Sequence, residues 1–241
     1  MKKHLLILSL LFISANLFAQ KMTIRVWFTQ TKMGHGIAYD DAMEKFRAKY
    51  QPPASNNGGT VAFNVMGGKQ DGNIMDMNVN PKSFAERDAV NDMPEGMRES
   101  WGLNIAPHIE SRHSEMLVYQ PDYSSSKYED GKDVEKFNMV EYTIINRSKA
   151  GDEIRKRFVK MREKLGLKTA VFSTATGEDK VYHSRRLTNG WKELDENYDN
   201  ETTYDELYGK GAWAKDMAIM STYWKVTDRF MLTKNKKLSS K

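Results

Sequence analysis

Histidine is the side chain best suited to acid–base or metal chemistry near neutral pH, and four follow the first twenty residues: His35, His108, His113 and His183. His35 stands in a turn before a predicted helix, whose N-terminus would favour an anion or a substrate oxygen. A surface turn residue is the simpler interpretation. His108 and His113 are five positions apart, whereas two ligands on one helical face are spaced by about four. We therefore predict no metal site.

His183 lies in a predicted strand, along which side chains point alternately to opposite faces. One face carries Val181, His183 and Arg185, and the other carries Tyr182, Ser184 and Arg186. If the first face lines an interior space, His183 and Arg185 form a wall suited to an acid or an anion. An exposed hairpin is the alternative, which the two adjacent arginines favour.

Trp27 alternates with Val26 and Phe28 in another predicted strand, so either the tryptophan or its two neighbours face the interior. If Trp27 faces inward, a ligand pocket gains an aromatic wall. The candidate ligand-binding residues are therefore Trp27, His35, His183 and Arg185. The catalytic residues stay unknown, because the sequence has no P-loop, dinucleotide-binding or nucleophile-elbow motif.

The composition excludes several classes of protein. The sequence has no cysteine, which rules out disulfides, thiolate metal sites, a cysteine nucleophile and a lipoprotein anchor. The formal charge is only +5 over 241 residues, and Lys2 and Lys3 contribute to it. A nucleic-acid-binding protein gathers its basic residues on one face, so we predict no nucleic-acid partner.

Residues 1–19 are typical of a bacterial signal peptide. Lys2 and Lys3 precede an apolar run at 5–14, which is too short to span a bilayer stably, and cleavage is expected after Ala19. Its ending, Phe18-Ala19-Gln20, resembles in style the signal peptides of Bacteroidetes-type bacteria. We predict an exported protein, periplasmic or secreted, with no transmembrane segment after the signal. An uncleaved anchor helix is the alternative.

Two segments carry the same apolar pattern at the spacing i, i+4, i+7 and i+11, which is one stripe of an α-helix. The first stripe is Tyr39, Met43, Phe46 and Tyr50, and the second is Ile154, Phe158, Met161 and Leu165. Matching strands precede them, one with Ile24, Val26 and Phe28 and one with Val140, Tyr142 and Ile144. The agreement predicts an internal duplication.

Each copy reads as βαββαβ, the ferredoxin-like unit, with a second helix expected near Phe84 and near Trp191. The predicted boundaries are a first unit at 22–120, a linker at 121–136, a second unit at 137–233 and a basic tail at 234–241. The fold class is thus α+β. We expect the two four-stranded antiparallel sheets to face each other, since each has an apolar face that the other can bury.

This arrangement of strands, amphipathic helices and a central hairpin resembles the dimeric α+β barrel superfamily. That superfamily includes NIPSNAP-like proteins, antibiotic-biosynthesis-type and haem-degrading monooxygenases, and chlorite-dismutase-like proteins. The resemblance implies a pseudo-dimer fused in one chain, of unknown oligomeric state. It implies no single chemistry, because one fold hosts many functions.

Three functions stay open at this point. The first is an exported protein that binds a small, partly apolar ligand between sheet and helices. The second is a cofactor-independent monooxygenase or a haem-binding enzyme, which requires a titratable side chain in an enclosed pocket. The third is a structural or interaction protein of the cell envelope, which requires a filled barrel. No cofactor is predicted, and haem is the one cofactor that stays as an alternative.

Overall fold

The computed structural model describes residues 22–52, 59–78, 83, 84, 86, 93–128, 131, 133–176 and 179–239. The predicted signal peptide at 1–19 lies outside these ranges. The helix predicted near Phe84 lies mostly outside them as well. Within them, no helix has the length and apolar character needed to cross a bilayer.

Eight strands lie in the described ranges: β1 (Thr23–Thr31), β2 (Thr60–Met66), β3 (Ile74–Asn78), β4 (Ile109–Tyr119), β5 (Lys136–Ile144), β6 (Thr169–Thr174), β7 (Lys180–Arg186) and β8 (Trp224–Asn235). The α-helices there are α1 (Gly36–Tyr50), α2 (Met97–Asn104), α3 (Lys149–Lys164), α4 (Asn200–Tyr208) and α5 (Ala212–Tyr223). The helix expected at Trp191 is a 3-10 turn, Trp191–Leu194. Its Glu193 side chain bonds back to the Asn189 backbone N–H, and the next α-helix begins only at Asn200.

The strands form one closed barrel in the order β1-β3-β2-β8-β5-β7-β6-β4, and the paired strands are antiparallel. The first half contributes β4-β1-β3-β2 and the second contributes β8-β5-β7-β6, which is the ferredoxin-like order in both cases. The halves are hydrogen-bonded along two seams, β2 to β8 and β4 to β6. The predicted fold class, two ferredoxin-like units forming a pseudo-dimeric α+β barrel, is confirmed.

Alternate residues of each strand face the barrel interior, where the two halves share one apolar core. Ile24, Val26 and Phe28 of β1 point inward. In β5, however, the inward residues include Phe137 and Met139, while Tyr142 and Ile144 pack outside beneath helices. The predicted match between the two opening strands was therefore wrong by one residue, because both faces of β5 are apolar.

The helices cover the outside of the barrel. On α1 all four residues of the predicted stripe, Tyr39, Met43, Phe46 and Tyr50, are buried. On α3 the first three residues of the stripe are buried, and Leu165 forms the C-cap. The side chain of Ser148 accepts a hydrogen bond from the backbone N–H of Gly151 and so begins α3.

Candidate functional site: a cavity inside the barrel

The barrel interior is not filled by side chains. A cavity of about 350 Å³ lies between the two halves, at the lower end of the range of roughly 300–1,000 Å³ typical of small-molecule sites. Its apolar lining includes Ile24, Val26, Phe28, Phe63, Met75, Met77, Leu117, Phe137, Met139, Ala170, Phe172, Phe230 and Leu232. All eight strands contribute to the wall, so the cavity exists only in the closed barrel.

Aromatic rings and methionines shape this apolar wall. Phe63 and Phe137 meet across the β2–β8–β5 region with ring centroids 5.4 Å apart and nearly perpendicular planes. Phe28 and Phe230 form a second edge-to-face pair at 6.3 Å. Such pairs keep ring positions well defined, whereas the thioethers of neighbouring methionines adapt to the shape of an occupant.

One strand supplies a row of polar groups to the cavity. Tyr182, Ser184 and Arg186 of β7 all line it. The Arg186 guanidinium donates to the backbone carbonyls of Lys127 and Tyr128, and the latter contact is 3.0 Å long. The Ser184 hydroxyl makes no hydrogen bond within the described part of the chain, although the residue is only 8% exposed.

A cluster of two carboxyl groups and a phenol lies beside one end of the cavity. The Tyr182 hydroxyl oxygen is 2.7 Å from Glu115 Oε2 and 2.9 Å from Glu141 Oε2. Thr227 donates to the other oxygen of Glu141 at 2.8 Å, and Lys180 Nζ lies 3.5 Å from Glu115. The Tyr182 hydroxyl carries one hydrogen, so it donates to one carboxyl group at a time.

The environment keeps the Tyr182 hydroxyl protonated. Burial, together with the neighbouring carboxylates of Glu115 and Glu141, raises the pKa of Tyr182 above its ordinary value. The protonated phenol therefore links the two carboxyl groups by hydrogen bonding. These contacts lead from the buried Glu141 through Tyr182 to Glu115, whose side chain is partly open to solvent.

Two of the candidate ligand-binding residues, Trp27 and His35, lie outside the barrel and contact different neighbours. Trp27 points outward, where the Arg112 guanidinium lies over its ring at 5.3 Å and over the Trp101 ring at 4.5 Å. His35 begins α1 without a side-chain cap, and its Nδ1 is 3.0 Å from Nδ1 of His108. Neither residue lines the cavity.

His183 and Arg185 also lie on the outer face, opposite to the face proposed as an interior wall. His183 is buried beneath α3, where its Nδ1 is 3.1 Å from the Arg162 guanidinium and its ring packs on Tyr142 at 4.7 Å. Arg185 donates to the Tyr198 hydroxyl and to the Glu193 carbonyl, each at 3.1 Å. The alternation along β7 was predicted correctly, but the inward face is the one with Tyr182.

Burial sets the protonation state of His183. Removal from water, reinforced by the positive charges of Arg162 and Arg155, lowers the pKa of His183 well below its ordinary value. Burial also lowers the pKa of Arg162, to about 10, which leaves it charged at neutral pH. His183 is therefore a neutral acceptor in the packing of α3 on the sheet.

Haem iron takes His, Cys, Met or Tyr as axial ligand. The described cavity lining has no histidine or cysteine, and its methionines Met75, Met77 and Met139 belong to a ligand type that holds haem together with a histidine. The Tyr182 hydroxyl is held by Glu115 and Glu141. His113 lies exposed with its ring stacked on Phe28 at 5.1 Å. These residues fit haem poorly, and the described residues include no group of three metal-ligating side chains.

No family model matches the chain, and no curated protein matches it. Among solved structures, it is similar to a proposed monooxygenase from Lactobacillus acidophilus NCFM, with 8% identity over 92% of this chain and 96% of that one and a TM-score of 0.47. A proposed monooxygenase from Fusobacterium nucleatum shares 9% identity over 92% and 94%, with a TM-score of 0.48. An anthrone oxidase-like protein shares 8% over 90% and 92%, with a TM-score of 0.49. Because these identities and TM-scores are low, we assign the fold from the strand order described above.

Proposed function

We propose that this protein binds a small, predominantly apolar molecule inside the barrel. The observation that supports the proposal is the cavity of about 350 Å³, lined by aromatic rings, methionines and aliphatic side chains. Protein interiors are normally packed without such voids, and an apolar void of this size is a ready site for an apolar molecule. The site lies between the two halves, whereas the sequence suggested a site between sheet and helices.

A polarity-sensitive fluorophore such as N-phenyl-1-naphthylamine tests the proposal. We expect its emission to rise with the wild-type protein and to saturate. Ala170 is 2% exposed and lines the cavity, so Ala170→Phe fills the space and should weaken binding at least about tenfold. Ala214→Phe makes the same change at an exposed position on α5 and should leave binding intact.

Circular dichroism distinguishes a filled cavity from a misfolded barrel in the Ala170→Phe variant. Equal binding by both variants, with both folded, would place the fluorophore outside the barrel and overturn the proposal. A complete lack of binding by the wild-type protein would favour the third function, an interaction protein of the envelope.

We also propose that the protein acts after export. The support is the N-terminal sequence pattern at 1–19. Expression of the full chain in a bacterium, followed by N-terminal sequencing of the protein outside the cytoplasm, tests this directly. Export with cleavage after Ala19 gives a mature chain beginning at Gln20, and an intact Met1 on a cytoplasmic product would contradict it.

The Tyr182 cluster favours a second candidate function, acid–base catalysis on a molecule held in the cavity. Its phenol lies within hydrogen-bond distance of both carboxyl groups beside an apolar space, which is how enzymes arrange proton transfer. A cofactor-independent oxygenase needs such a base to ionise its substrate. Oxygen uptake with polycyclic phenols, lost in Glu141→Gln but kept in Glu110→Gln, the same change at an exposed position of β4, would support it.

Absence of oxygen uptake, with fluorophore binding retained, would leave the protein as a binding protein.

An absorbance titration with haem tests whether the protein binds this cofactor. We expect no shift of the haem Soret band, because the cavity lining offers no imidazole ligand.

A further inference from the structure

The Ser184 hydroxyl opens onto the cavity and makes no hydrogen bond to another residue in the described part of the chain. The residue is 8% exposed and lines the cavity. Its neighbours in register on the adjacent strands are Met139 and Ala170, which offer no side-chain donor or acceptor. A hydroxyl that faces a cavity without a protein partner can donate to and accept from an occupant of that cavity.

The other polar groups on β7 are already engaged. The Tyr182 hydroxyl contacts two carboxyl groups, and Arg186 donates to two backbone carbonyls. Ser184 lies between these two residues on the inward face of the strand. It is a hydroxyl of this row that makes no hydrogen bond to another described residue.

The wall opposite β7 is apolar. In the closed order of eight strands, β3 stands four positions from β7 in either direction. The cavity-lining residues of β3 are Met75 and Met77, so β3 and β7 present different chemistry to the space between them. An occupant is thus offered a hydrogen bond on one side and only dispersion contacts on the other.

We infer that Ser184 is the anchor that orients the ligand, and that the ligand is an uncharged apolar molecule carrying one hydroxyl or carbonyl oxygen. This inference rests on the proposed function, since it places a ligand in the same cavity. The oxygen pairs with the Ser184 hydroxyl, which can both donate and accept. The apolar body lies against Met75 and Met77.

Equilibrium dialysis with naphthalene and 2-naphthol tests the anchor, because the two probes differ by one hydroxyl. For the wild-type protein we expect 2-naphthol to bind about five- to tenfold more tightly than naphthalene, the value of one net hydrogen bond. Ser184→Ala should abolish this preference and leave naphthalene binding unchanged or slightly tighter. Ser173→Ala is a matched control elsewhere in the sheet, since Ser173 bonds Gln120 and does not line the cavity.

The outcomes separate the anchor from the cavity itself. Naphthalene binding with an unchanged preference in Ser184→Ala keeps the proposed function and overturns the role of Ser184. Failure of both probes to bind the wild-type protein overturns the proposed function, and the anchor with it. Should Ser184→Ala unfold, Ser184→Thr provides the second test, because it keeps the hydroxyl and should keep the preference.

Discussion

His183 couples the packing of α3 to pH. The folded protein keeps this imidazole neutral, because burial and then the charges of Arg162 and Arg155 lower its pKa well below the ordinary value. The unfolded chain takes up a proton below about pH 6.5. The unfolded state then binds more protons than the folded state, so the stability due to neutral His183 is lost as the pH falls through this range.

We predict that the free energy of unfolding decreases by about 1 kcal/mol for each pH unit below about 6. His183→Gln should remove this decrease, since glutamine does not titrate, and His113→Gln should keep it, since His113 is exposed. Urea denaturation between pH 7.5 and 5 measures the effect. A slope that persists in His183→Gln would assign it to another group.

Gly151 allows α3 to approach α5. A Cβ atom at this position would lie 2.0 Å from Cδ2 of Tyr223, a residue that is buried and bonded through its hydroxyl to Asp152. We predict that Gly151→Ala destabilises the protein by about 1–3 kcal/mol, because the helix must move.

The control is Gly102→Ala on α2, where nothing lies within 4 Å of an added Cβ. There the change should stabilise by about 0.5–1 kcal/mol, the gain of alanine over glycine inside a helix. Thermal melts of the two variants should therefore move in opposite directions. A rise in melting temperature of the Gly151→Ala variant would show that Tyr223 does not restrict α3.

At the level of single elements, α3 depends on its N-cap. Ser148 accepts from the backbone N–H of Gly151 at 3.1 Å, which satisfies one of the unpaired N–H groups of the first turn. Ser148→Ala should cost about 1 kcal/mol of stability. Lys149→Ala, at the exposed neighbouring position, should be nearly neutral, and an equal loss in both would argue against a specific cap.

The helices were the elements that the sequence predicted best. A helix on the outside of a barrel has one buried stripe and one solvated face, so the spacing of Tyr39, Met43, Phe46 and Tyr50 predicts both its extent and its buried side. The strands of a covered barrel are different, because both faces are buried. In β7, Val181 beneath the helices and Tyr182 in the interior are 1% and 3% exposed.

For this reason the alternation of side chains along β7 predicted that His183 and Ser184 lie on opposite faces, but it did not show which of them faces inward. The order of strands decides that question, and it depends on contacts between distant parts of the chain. The same holds for the Tyr182 cluster, whose members Glu115, Glu141 and Tyr182 come from three strands. No local pattern joins them, so the cavity and its polar wall appear only in the folded barrel.

At the scale of the whole molecule, neither half can complete the barrel alone. The interior core takes side chains from both halves, among them Val26 and Phe63 from the first and Phe137 and Phe230 from the second. A separated half would expose this apolar face and leave the edges of two strands unpaired. Both features promote association with another chain.

We predict that residues 22–120 and residues 121–239, produced separately, each aggregate or pair with a copy of themselves, whereas the two together form a one-to-one complex. Pairing through β2–β8 and β4–β6 should then restore the cavity, so the fluorophore should bind the mixture and neither half alone. Size-exclusion chromatography with fluorescence measures both properties. A half that is monomeric, melts cooperatively and binds the fluorophore would show that the cavity belongs to one unit rather than to the closed barrel.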